Sequence, residues 1–170
     1  MVSKTTSITR AKFTFKPTWC FPDGVNHFVD AMISRFDGEW LHAFCGKSTF
    51  GNVRVDIDPQ NEPDICCDVL DLPDILEGKQ FDNIVADPPW KIPNNKRRYF
   101  MYALRDCLKV GGHLLINCPW SPWVTGFAYV KDPSVEIWKV AQTFNSYRDL
   151  VDWWLLPKIS DATNPIGDSK

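Results

Sequence analysis

Three short apolar runs in this chain each finish on an aspartate: VRVD at 53–56, ICCD at 65–68 and NIVAD at 83–87. Runs this short and this apolar suit strands of a parallel sheet, which is covered on both faces. A carboxylate is costly inside such a strand, so each aspartate marks the edge where the chain leaves the core. Asp87 is the sharpest case, because Pro88 and Pro89 follow it and neither can donate to a sheet ladder. Ligands of open α/β sheets bind at the carboxyl ends of the strands, which makes Asp87 a candidate site residue before any motif is considered.

The rest of the chain supplies the elements between these strands. Val25, Phe28, Val29, Met32, Ile33 and Phe36 recur at helical spacing and predict an amphipathic helix over 25–36, with Asp23 or Gly24 as its cap and Gly38 as its stop. Strands are predicted at WLHAF (40–44), VRVDI (53–57), ICCDV (65–69) and NIVAD (83–87). A second helix follows over 97–108, carried by Phe100, Met101, Leu104 and Leu108 and ended by Gly111-Gly112; HLLINC (113–118) is then a fifth strand. VEIWKVAQTF (135–144) and DLVDWWLL (149–156), joined by NSYR, read as a closing antiparallel pair. Strands alternating with helices predict a mostly parallel, doubly wound α/β sheet with a C-terminal antiparallel hairpin. Residues 17–157 form the single domain, flanked by a basic N-terminal arm at 1–16 and a polar tail at 158–170.

At 170 residues and 44% hydrophobic content the chain suits one core. A net charge of -2 argues against holding nucleic acid by bulk electrostatics, although a local basic patch remains open. The run KIPNNKRRY places Lys91, Lys96, Arg97 and Arg98 together without an acid directly after Asp87, where a polynucleotide backbone would lie. The six cysteines show no C-x-x-C arrangement and no histidines at ligand spacing, so they read as reduced core thiols with no metal role. No apolar run approaches a membrane span and the N-terminus lacks a signal core, so the expectation is a cytoplasmic protein with no membrane partner.

The loop after the first strand, FCGKST (44–49), ends like a phosphate loop at Gly46-Lys47-Ser48. That motif needs a glycine at position 41, where Leu41 stands, so nucleoside triphosphate is not the expected ligand. Gly46 still permits close backbone approach to a ligand, although an ordinary turn glycine reads the same way.

The tetrapeptide Asp87-Pro88-Pro89-Trp90, in this setting, resembles the signature of the Rossmann-like methyltransferases that use S-adenosylmethionine and modify exocyclic amines. Within that family the chain looks most like the nucleic-acid adenine-N6 enzymes. The resemblance covers most of 15–156: FCG looks like the first cofactor loop, VDIDP and CDVLDLP like the acids after strands two and three, and LKVGGHLLI like the turn into strand five. KPTWCFPDGVNHFV (16–29) resembles the segment against the methionine end of the cofactor. The resemblance implies that Phe44, Cys45, Gly46 and Lys47 offer backbone to the methionine part. It also implies that Asp56, beside Ile57, accepts from the ribose hydroxyls, with Asp58 as the alternative. Asp68 and the Val69 amide would then take the adenine.

The chain departs from the family between strands one and two. Only six residues, KSTFGN, separate Gly46 from Val53, too few for a crossover helix. Either strand two is connected differently or the cofactor is less enclosed there, and a homodimer or partner subunit would cover the gap.

The resemblance implies a chemistry the residues can carry. An adenine amine is a weak nucleophile, because its lone pair is delocalised into the ring. If the Asp87 carboxylate and the Pro88 carbonyl both accept from it, the nitrogen is drawn toward tetrahedral geometry, and the stabilisation grows as positive charge develops. Pro88 and Pro89 have fixed φ and no amide hydrogen, which holds the carbonyl and removes competing donors. Trp90 would stack on the base, and a duplex base would have to flip out first. Trp120 and Trp123 are placed to line the same mouth. Guanine-N2 methylation of RNA and a catalytically silent binding subunit are the alternatives.

Overall fold

The computed structural model describes residues 8–9, 23–144 and 147–161. An eight-stranded sheet is built from β1 (Ile8–Thr9), β2 (Trp40–Ala43), β3 (Val53–Asp56), β4 (Ile65–Cys66), β5 (Phe81–Ala86), β6 (Leu108–Asn117), β7 (Glu136–Phe144) and β8 (Tyr147–Pro157). Their order across the sheet is β1-β7-β8-β6-β5-β2-β3-β4. The block from β4 to β6 is parallel throughout, and β8 runs antiparallel to both β6 and β7. This is the doubly wound sheet with a closing hairpin that the alternation of elements predicted. Strand order reverses between β2 and β5, so the crevice above Ala43 and Ala86 is the switch point of the fold.

Both faces are covered. Helix α1 (Asp23–Ile33) lays Val25, Phe28, Val29 and Met32 on Trp40, Val85, Leu115 and Trp153. The opposite face takes Phe100, Met101 and Leu104 of α3 (Asn94–Asp106), together with Val69, Leu72 of α2 (Leu72–Ile75), Val124 and Phe127, against Leu41, Ile84, Ala86 and Ile116. Side chains alternate across each strand, so this division assigns a face to every strand position.

Several details differ from the sequence reading. β6 begins at Leu108, directly after α3, and Gly111-Gly112 lies inside it as a bulge: Phe81 pairs with Leu108 but Asn83 pairs with His113. Gly111 has φ +85°, and a Cβ on Gly112 would sit 2.3 Å from the Asp82 carbonyl oxygen, so neither position takes a side chain. Tyr147 and Arg148 belong to β8, not to a turn. Ile8–Thr9 adds a strand to β7 where an unstructured arm was expected; the rest of 1–16 lies outside the described residues. The polar tail starts packed: Lys158 is buried, its ammonium donates to the Leu108 carbonyl, and it pairs with Asp161 at 2.6 Å. Residues 162–170 lie outside the described residues. Cys45, Cys107 and Cys118 are core thiols as expected, but Cys67 is half-buried and Cys66, on the edge strand β4, is exposed.

Connector 44–52 resolves one of the two alternatives for the short link. β2 and β3 are parallel neighbours joined without a helix. The chain returns extended along the α1 face and is clipped at its end, Asn52 N–H donating to the Trp40 carbonyl and Trp40 N–H to Asn52 Oδ1, both at 2.7 Å. Gly51, at φ +85°, lets this return run close to β2, since a Cβ there would lie 3.1 Å from the Trp40 oxygen. Phe50 takes part of the space of the missing helix and packs its ring near His42.

Candidate functional site

Asp87 leaves β5 at the switch point. Val85 belongs to the α1 face, so alternation turns Asp87 to the same side, and on β6 Leu115 and Asn117 follow the same rule. Ala86 pairs with Ile116, which sets Asp87 and Asn117 next to each other. Asn117 Nδ2 donates to Asp87 Oδ1 at 3.0 Å. Desolvation of the Asp87 carboxyl raises its pKa to about 7, and the Asn117 hydrogen bond opposes that rise. Pro88 is buried, Pro89 exposed, and Trp90 packs half-buried against the α1-face core.

One strand away, the backbone at the end of β2 is left-handed at Phe44 (φ +57°) and Gly46 (φ +51°). A phenylalanine at positive φ is strained, and strain of this kind collects at ligand-binding turns. The Phe44 ring is committed to the α3-side core, edge-on to Phe100 at 5.6 Å, so only its backbone faces the rim. Cys45 is buried, its thiol held protonated with a pKa of about 11 by burial and by the charge of Asp56. Asp56 accepts the Gly46 amide at 2.8 Å on one oxygen and the Asp58 amide at 2.9 Å on the other. It therefore ties the β2 loop to the β3 loop, and each oxygen keeps a lone pair for another donor. Asp58 caps the turn at Pro59–Asn61 by accepting from Gln60, and Asp68 caps Val69–Asp71 by accepting from Leu70. Ile57, between the two acids, is 68% exposed, while Val69 is buried.

On the α1 face below Gly46 lies an open cavity of about 480 Å³ lined by Asn26, Asp30, Lys47, Ser48, Thr49 and Phe50. It occupies the flank that a crossover helix would fill. Ser48 Oγ is buried there with no hydrogen-bond partner. His42, nearby in the sheet, is neutral, since burial lowers its pKa to about 4.

The basic segment is divided by the start of α3. Lys91, Lys96 and Arg98 are exposed, whereas Arg97 stacks over Trp120 at 4.0 Å and donates to the Ile92 carbonyl. Trp120 thus stays at the mouth, but Trp123 does not: its indole donates to Phe127 and its ring meets Tyr129, in a segment that Arg105 holds through Thr125 at the other end of α3. The structure adds Asn117, Ser48, Asn26 and Asp30 to the site. No sequence signal marked Asn117, because only the register of β6 against β5 puts position 117 beside 87.

No protein-family model matches the chain, and no curated protein is similar to it. Solved structures are. TrmN from Thermus thermophilus superposes with a TM-score of 0.59 at 15% identity over 82% of this chain, which spans about half (49%) of TrmN. The N-methyltransferase NodS from Bradyrhizobium japonicum WM9 gives 0.56 at 12% identity, over 79% of this chain and 94% of NodS. NSun6 from Pyrococcus horikoshii, solved with SFG, gives 0.57 at 15% identity, over 83% of this chain and 53% of NSun6. The fold is that of the Rossmann-like methyltransferases. Among the described residues no group of three His, Cys, Asp or Glu could hold a metal, and no helix is long and apolar enough to cross a membrane.

Proposed function

We propose that this chain is an S-adenosylmethionine-dependent methyltransferase acting on an exocyclic amine of a nucleic-acid base, with adenine N6 as the leading target. The observation that carries the reading is the enclosed Asp87 carboxyl, followed by the Pro88 carbonyl, at the switch point and on the same face as the cavity below Gly46.

The residues present fit the cofactor. The cavity offers a cation in Lys47, an anion in Asp30 and the unpartnered Ser48 hydroxyl, a set complementary to a zwitterionic amino-acid end. Farther along the rim, Asp56 and Asp68 keep acceptor capacity for ribose and adenine donors, and exposed Ile57 gives an aromatic ring an apolar face. When bound, S-adenosylmethionine supplies an electrophilic methyl on a sulfonium centre. Asp87 and the Pro88 carbonyl accept from the substrate amine and orient its lone pair; burial pushes the Asp87 pKa up to about 7, so its carboxylate form is gained across the neutral range. Asp87 then stabilises the charge that develops on nitrogen. Trp90 borders the base, and Lys91, Lys96 and Arg98 with the positive end of α3 take the flanking phosphates.

The test is transfer of radiolabelled methyl to defined DNA, RNA and protein substrates, followed by digestion to nucleosides. N6-methyladenosine or its deoxy form is the expected product. N2-methylguanosine would move the target to guanine, and transfer only to protein would refute the nucleic-acid reading. Calorimetry with S-adenosylmethionine separates an enzyme from a silent subunit, which would give no heat.

A further inference from the structure

We propose that Asn117 is a positioning residue for Asp87: its amide, fixed at the end of β6, holds the carboxylate in one rotamer and in its acceptor form toward the substrate. The inference rests on the reading of Asp87 as the amine's acceptor, and it adds a residue that no motif contains.

Two observations on Asn117 carry it. Its side-chain amide donates to Asp87 Oδ1 at 3.0 Å, across a pair of parallel strands whose register fixes both ends of the bond. Its own Oδ1, by contrast, is buried and has no partner. Position 117 is 1% exposed and continues the fully buried run Leu114, Leu115 and Ile116, opposite the fully buried Trp153 of β8. For packing alone, a leucine or valine would serve there without stranding an amide oxygen. A buried amide oxygen left without a partner, like Ser48 Oγ at the same rim, points to a role outside stability, and the group that Asn117 does serve is the enclosed carboxyl.

The donor is suited to that role by its charge. It is neutral, so it favours the carboxylate through one hydrogen bond without neutralising it, and the acid keeps its attraction for a nitrogen gaining positive charge. A lysine or arginine at the same place would cancel that attraction. Of the other titratable groups around Asp87, Arg97, Asp152 and Asp56 are engaged elsewhere and Cys118 stays neutral, whereas Lys47 and Asp30 face the open cavity. On α3, Arg97 lies over Trp120. On β8, Asp152 is paired with Lys139 of β7 at 2.7 Å. Cys118, next to Asn117, is held protonated at about 12 chiefly by burial. Asp56 holds the loop amides of Gly46 and Asp58, while Lys47 and, on α1, Asp30 line the cavity.

The experiment compares the full chain with Asn117→Leu and Asn117→Gln. In Asn117→Leu the urea midpoint at pH 6 is unchanged or higher, while the Asp87 carboxyl, followed by carbon-13 NMR, titrates about one pH unit or more above its wild-type position. kcat/KM at pH 7 falls about tenfold or more, and the deficit narrows toward pH 9 as the acid ionises without help. Asn117→Gln, which keeps a donor, recovers part of the rate. An Asp87 titration that does not move overturns the inference, as does a rate loss that is equal at every pH and accompanied by lost stability. If the titration moves while the wild type methylates no nucleic acid, the positioning role stands and the functional reading fails.

Discussion

The two rims of the sheet treat their polar groups in opposite ways. At the amino ends of the parallel strands the charges are matched: Lys109 with Asp82, Lys79 with Glu39, Arg105 with Asp106, and Lys158 with Asp161. Asn83 there donates to the Asp37 carbonyl and meets His113. At the carboxyl ends Asp87 is desolvated with one neutral partner, and Ser48 Oγ and Asn117 Oδ1 are buried without any. A folding chain can satisfy its polar groups, and one rim shows that this chain does. The other rim satisfies Asp56 and Asp152 but leaves these groups open, which costs stability and is worthwhile only where a ligand completes the set. The amino rim builds the fold, and the proposed function gives the carboxyl rim's open groups their use.

The comparison is broken most directly at Asp87. Asp87→Ala is expected to lower methyl transfer by at least ~100-fold while unfolding stays cooperative, because in the proposed role the acid acts on developing charge and not on packing. Turnover within a few-fold of wild type would remove Asp87 from the mechanism.

The converse substitution lies on the other rim. Lys158→Met takes away a buried ammonium that satisfies the Leu108 carbonyl and pairs with Asp161. Stability should fall by ~1–3 kcal/mol in urea titrations, with the affinity for S-adenosylmethionine unchanged. A loss of affinity without a loss of stability would erase the division between the rims.

A third measurement sharpens the contrast through pH. Asp87 has a folded pKa of about 7, above the ordinary carboxylate value. The native state therefore holds this proton more tightly than the unfolded chain does. The group's contribution to stability is greatest below pH ~4 and declines as pH rises through 7. Asp87→Asn removes the titration, so its stability relative to wild type should climb between pH 4 and 7 and level off above. The plateau is expected at ~1–3 kcal/mol, discounted from the full linkage value because the residue keeps some surface. A flat difference across that range would mean that the carboxyl is not desolvated. His42 has the opposite sign: its pKa is lowered to about 4, so the stability it contributes is present above pH ~6.5 and is lost as pH falls toward 4.

What was legible in the sequence follows from the same contrast. The carboxyl rim could be read because strands buried on both faces are short apolar runs, and an acid followed by prolines can only end one; Asp56 and Asp87 are placed accordingly. The missing crossover helix was readable by counting residues. The amino rim was less legible. Gly111-Gly112 looks like a helix stop, and only the closeness of the Asp82 carbonyl shows it to be a bulge. Lys158 looks like the start of a polar tail until its ammonium is seen against Leu108. Ile8–Thr9 carries too little pattern to announce a strand. Asn117 was hidden for another reason: a single amide at a strand end has no signature until the register of β6 against β5 gives it a neighbour.

The smallest expected effect concerns the exposed cations beside the site. Arg97 is built into the structure through Trp120 and Ile92, whereas Lys96 and Arg98 lie exposed near the start of α3, whose first turn contains no acid to offset them, Arg98 donating to the Tyr102 hydroxyl at 3.0 Å. Two cations at the positive end of a helix repel it slightly, a cost that an anion arriving there would reverse. The double substitution Lys96→Ala and Arg98→Ala should therefore keep the fold, at the cost of one part-buried hydrogen bond to Tyr102, and raise the KM for a nucleic-acid substrate several-fold at low salt, with kcat retained. On a single-stranded substrate, the dependence of log KM on log salt should flatten by about 0.7 for each phosphate that the variant no longer neutralises. Arg97→Ala, by contrast, should cost stability, because it uncovers Trp120. If the double variant changes kcat instead of the salt slope, these residues act on the reacting centre and the polynucleotide does not run along α3.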